Sequence, residues 1–78
     1  MRYYFHLREG DGYVADEEGL DLPGPEAALA AARRGARSLI ASEALLGKLP
    51  LAAAIEVEDE HGVILFDLPF RDAVVMDG

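Results

Sequence analysis

At 78 residues, 51% of them hydrophobic and 28% charged, the chain reads as a single globular domain over residues 1–78, near the smallest size that folds alone and too apolar for disorder. The absence of cysteine excludes disulfides and thiolate metal sites, and no stretch approaches the roughly 18 consecutive apolar residues of a membrane span. Fifteen acidic against seven basic residues give a formal charge of −8, which repels phosphate backbones, argues against nucleic-acid binding and suits a basic protein partner.

Residues 3–8 of "RYYFHLREGDG" predict a strand, with Tyr3, Phe5 and Leu7 on one face and Tyr4, His6 and Arg8 on the other. Aromatic side chains suit a pleated surface, and Glu9-Gly10-Asp11-Gly12 supplies the turn that follows. Tyr13-Val14-Ala15 reads as the return strand. "DEEG", Asp16 to Gly19, interrupts it as a second turn or bulge in which Asp16 caps nearby backbone N–H groups. Leu20-Asp21-Leu22 briefly continues the strand, so the first hairpin spans 1–22.

A helix is expected over 24–47. Gly24 serves as N-cap, Pro25 fits the first turn, and Glu26 complements the positive end of the helix dipole. Gly47 is placed to end the helix in a left-handed conformation, with Pro50 soon after. At about 100° per residue, Ala28, Leu29, Ala32, Ala36, Leu39, Ile40 and Leu46 gather on one side. Gly35 falls within it, where a missing side chain permits close approach to a sheet around Ala32 to Ala36. The second hairpin spans 53–70. "AIEVED" alternates like a half-buried strand, Asp59 to Gly62 turns, and "VILFDLPF" is apolar on both parities until Asp67, which predicts a central strand or one covered twice. Pro69 belongs at a strand end or edge. Residues 71–78 form a weakly patterned tail.

The fold class is therefore α+β: a small antiparallel sheet in β-β-α-β-β order with one helix on one face. A single helix leaves the second face to solvent or to another chain. Tyr4, His6, Arg8, Glu56, Glu58 and residues 63–67 are expected there. Tyr4, Val63 and Leu65 make it greasier than a wet face requires, so Tyr4, His6, Arg8, Val63 and Leu65 form the candidate interface.

The ordered series "RYYFHLREGDG", "DEEGLDLP", "EAALAAARR" and "IEVEDEHGVILFDLPF" resembles a family of short bacterial proteins described as a domain of unknown function. The resemblance runs from Arg2 to Phe70 and leaves the tail outside. It implies no activity, cofactor or catalytic residue.

No cluster of residues matches a known chemistry. His6 lacks a nucleophile to serve, since Ser38 and Ser42 sit mid-helix and outside any G-x-S-x-G context. His6, His61, Asp59, Glu60 and Asp16 lack zinc-site spacing, and Asp16-Glu17-Glu18 lacks the alternation of a calcium loop. "EGDG" and "PGP" do not form a phosphate loop. Arg33, Arg34 and Arg37 make a weak basic patch that reads first as a solvated helix face. The expected function is a non-enzymatic protein-interaction domain without cofactors, self-associating as a homodimer through the sheet face or edge. The alternative is an antitoxin-like or adaptor module that binds a basic partner. The start lacks the basic-then-apolar order of a secretory signal, so a cytoplasmic location is expected.

Overall fold

The computed structural model of the chain describes residues 1–75. Strands β1 (Arg2–Glu9), β2 (Gly12–Val14) and β3 (Leu20–Asp21) precede helix α1 (Pro25–Ala44), and β4 (Ala54–Asp59) and β5 (Ile64–Pro69) follow it. All strand pairs are antiparallel, in the order β2-β1-β4-β5, with β3 also on β1. The α+β class agrees with the sequence reading. The element order gains one strand, because the DEEG segment divides the return strand in two. Leu7 faces Val14 and Tyr3 faces Leu20, so β2 and β3 are two pieces of a single edge.

The centre of the sheet is β1 with β4, which corrects one of the two alternatives for "VILFDLPF", that of a central strand. That segment supplies the other edge. Its apolarity on both parities reflects a register shift at Val57/Glu58: Phe66 faces Val57, whereas Ile64 faces Glu58. Leu65, in the irregular stretch, packs against the core alongside Phe66. Asp67 places a charge on the edge and Pro69 lacks a donor, two devices that discourage strand addition.

The helix boundaries follow local chemistry. Gly24 precedes Pro25 at the first helical position, with Glu26 in the first turn. At the other end Gly47 adopts φ 81°, its N–H donates to Ala44 O, and the Lys48 N–H donates to Glu43 O at 2.9 Å. This pair of bonds is a Schellman ending. Ala28, Ala32 and Ala36 are buried against the sheet, and α1 lies over β4 and β5. Leu39 and Leu46, expected on the covered side, are exposed. A 20-residue helix is about 30 Å long, whereas the six residues of β4 span about 20 Å, so the C-terminal turns overhang the sheet.

Tyr3, Val57 and Phe70 are the largest fully buried side chains. Phe70 opens a short 3₁₀ helix (Phe70–Ala73) that buries Phe70 and Ala73 and packs on α1. The core thus extends into the start of the expected tail, whose residues 76–78 lie outside the described ones. Among the described residues no helix is long and apolar enough to cross a membrane.

Candidate functional site

The second sheet face carries the parity expected for β1: Tyr4 opposite Glu58, His6 opposite Glu56, and Arg8 opposite Ala54. Its chemistry differs from the greasy surface expected. Arg8 Nη1 donates to Glu56 at 2.6 Å, and Arg8 Nη2 donates to both Asp67 carboxylate oxygens at 3.1 and 3.2 Å. The Asp67 bonds and charge, with Glu56 behind them, raise the Arg8 guanidinium pKa further above its usual value. Tyr13 donates to Glu56 at 3.2 Å; partial desolvation and the two glutamates raise its phenol pKa.

His6 is 6% exposed. The backbone N–H of Asp16 donates to His6 Nδ1 at 3.0 Å, which leaves the Nε2 proton to donate to Glu58 at 2.6 Å. Its ring stacks on Tyr13 with centroids 5.7 Å apart. Both ring nitrogens are therefore committed to partners within the fold. A general base needs a free lone pair aimed at a substrate proton, and the Nδ1 lone pair already accepts the Asp16 N–H. The concavity at Pro23 to Ala27, at the start of α1, includes no residue of this network.

Asp16 is the hinge of the arrangement. Its Oδ2 accepts the Phe5 N–H at 3.1 Å, filling the gap between β2 and β3 where β1 has no strand partner on that side. Its Oδ1 accepts from Glu18 and Gly19 at 3.2 Å each. Burial pushes the Asp16 carboxyl pKa up, but the three backbone donors outweigh it and hold the carboxyl below its ordinary range. The DEEG segment thus acts as a plug that ties the broken edge to β1 and to His6.

Of the candidate interface residues, Tyr4, His6 and Arg8 lie together on this face. Val63 is exposed, but in the turn before β5, where its N–H donates to the Asp59 carboxylate. Leu65 belongs to the margin of the core, because of the register shift. Val63 thus belongs to the turn and Leu65 to the core margin, while Ile64, exposed and paired with Glu58, is the apolar residue on this face beside Tyr4. Arg33 and Arg34 are exposed on α1, while Arg37 Nε donates to Ala73 O at 2.6 Å and ties the helix to the 3₁₀ segment.

Apolar surface is also open on the other face. Val14 shares the face of Leu7, and Leu20 that of Tyr3. Yet Val14 is 63% and Leu20 49% exposed, and Phe5 and Leu7 between them are only partly buried. The helix lies over the β4–β5 half, so the row continues the core face past the helix: Tyr3 within it is fully buried, Phe5 and Leu7 pack against the core, and Val14 and Leu20 at its outer edge stay open. Sequence reading passed over it, although the parity of Val14 was available. What was missing was the lateral position of the helix.

The family model described as Domain of unknown function (DUF6894) matches residues 2–71. Its span agrees, within one residue at its end, with the Arg2–Phe70 resemblance. No curated protein and no solved structure matches the chain.

Proposed function

We propose, for a chain that belongs to the DUF6894 family of unknown function, that it works by non-covalent association with another protein chain and not by catalysis. The observation that carries this reading is the pair of exposed apolar residues Val14 and Leu20, at the outer edge of the helix-side row that Tyr3, Phe5 and Leu7 carry into the core. Apolar residues lying on core parity at the rim of the cover are placed as an interface is placed. The ion pairs and hydrogen bonds of the opposite face use their side chains inside the fold, which supports an architectural role for His6 and Arg8. Self-association of two such rows is the simplest form of the proposal, in keeping with a thin single-helix core. Association with a basic partner, as an adaptor would make it, is the second form, and the acidity of the first hairpin favours it.

The test replaces Val14 and Leu20 together by Gln. A row kept apolar for binding is dispensable for folding, so urea unfolding of the double variant is expected within about 0.5 kcal/mol of the parent. A loss above about 2 kcal/mol would place both residues among those that hold the core and would overturn the reading. Sedimentation equilibrium at high micromolar concentration, parent against variant, reports whether the row pairs with itself.

A further inference from the structure

The partly open row has a shape and a charge that select among partners. Four strands at about 4.8 Å make a sheet about 19 Å across. One helix covers about 10 Å of it. With α1 over β4 and β5, the remaining width is that of one more helix. At 100° per residue the buried stripe Ala28, Ala32 and Ala36 faces the sheet, and Arg37, bonded to Ala73, marks the flank toward the 3₁₀ segment. Ala31 and Gly35 fall on the opposite flank, where Gly35 lies over Ile55 of β4 and neither residue adds a bulky side chain. The trough is therefore open at Val14 and Leu20, with Phe5 and Leu7 partly buried beside them and Tyr3 of the same row already covered, and its helix wall is made of small residues.

Its outer rim is acidic. From Glu9 to Ala32 the chain has no Lys or Arg, and Glu9, Asp11, Glu17, Glu18 and Asp21 are all exposed along the broken edge. Arg2 pairs with Asp21; the other four have no cation paired to them among the described residues. Two copies meeting through this trough would bring two such rims together, which costs free energy at a net charge of −8 each. A helix with an apolar face and lysines or arginines beside it meets both requirements at once.

We infer that the trough between the β1–β3 half of the sheet and the small-residue flank of α1 receives a basic amphipathic helix of another protein. This rests on the association reading and gives it a partner chemistry. The test uses the whole chain, ¹⁵N-labelled, titrated with a synthetic 18-residue amphipathic helix of Leu and Lys and with its Leu and Glu counterpart. The Leu/Lys peptide is expected to shift the amide resonances of Phe5, Leu7, Val14, Leu20, Ala31 and Gly35 and to bind at least tenfold more weakly at 0.5 M than at 0.05 M salt. Val14→Gln with Leu20→Gln is expected to weaken it at least tenfold, and Glu17→Gln with Glu18→Gln to flatten the salt dependence.

Three results would overturn the inference: no shifts at millimolar peptide, shifts confined to the Arg8–Glu56 face, or equal binding of the Leu/Glu peptide. A parent dimer that the Val14→Gln, Leu20→Gln variant loses would make a second copy the occupant. That result overturns the basic partner while leaving the association reading in place. The association reading itself fails by a different measurement, the stability of that same variant.

Discussion

Asp16 shows how much of this fold depends on one carboxylate. Its two oxygens accept three backbone N–H groups, one of them from the central strand, while its own N–H fixes the His6 ring. Asp16→Asn turns an NH₂ group toward at least one of those donors and is expected to cost about 1–3 kcal/mol in urea unfolding at pH 7. The pH dependence follows from the depressed folded pKa. The unfolded chain binds this proton more tightly, so the contribution is fully present above an unfolded value of about 3.9 and is lost as pH falls through the folded one. The gap between Asp16→Asn and the parent is therefore expected to narrow as unfolding is followed from pH 6 to pH 3. A gap constant over that range would show that the carboxylate charge is irrelevant. Three residues later in the same plug, Gly19 has φ 71°, and a Cβ there would lie 2.8 Å from Arg2 Cγ and 2.9 Å from Tyr4 Cε1. Gly19→Ala combines left-handed strain with these contacts, so a loss above about 1 kcal/mol is expected in thermal melts. The turn and its Asp16 cap are legible in "DEEG". The reach of Asp16 to Phe5 and His6 is not, because it depends on where the two halves of a broken strand return to β1.

Among the elements, α1 was the most legible, since its start and stop signals are local: Pro25, Glu26 and Gly47 act through their own backbone neighbours. Gly35 is different. Sequence reading assigned it to a close approach, but a Cβ at Gly35 would meet only Ile55 Cδ1, at 3.7 Å, an ordinary contact. Gly35→Ala is therefore expected to gain about 0.5–1 kcal/mol from helix propensity, read as a higher urea midpoint with an unchanged slope. If it destabilises instead, the helix sits closer to the sheet than the Ile55 distance indicates. The strands were legible as segments and much less so as neighbours. "AIEVED" and "VILFDLPF" differ in patterning, yet the more apolar one is the edge. A register shift, here at Val57/Glu58, moves Leu65 out of simple alternation and makes an edge strand read like a central one. Strand order also depends on pairings between residues more than forty positions apart, such as His6 with Glu56, which no local pattern encodes.

For the molecule as a whole, composition indicated a small acidic chain and the patterning an α+β class, and the class stands, with the helix set to one side of its sheet face. The helix-free face carries the polar network of Arg8, Glu56, Asp67, Tyr13, His6 and Glu58, whereas the helix-bearing face ends in the exposed apolar Val14 and Leu20. The same asymmetry concentrates charge. A net −8 on 78 residues opposes compaction, and the first hairpin holds much of it without a basic residue between Glu9 and Ala32. Exposed charges interact over a Debye length of about 10 Å at 0.1 M salt and about 3 Å at 1 M, so screening relieves repulsion along the hairpin. Thermal stability is expected to rise from low salt to 0.5 M potassium chloride. Glu17 is exposed and makes no side-chain hydrogen bond among the described residues, so Glu17→Lys removes repulsion without removing a native contact. That variant is expected to gain up to about 0.5 kcal/mol at low salt and to converge with the parent as salt increases. Two melting curves that stay parallel from low to high salt would place the gain in local backbone preference instead of in the field of the hairpin.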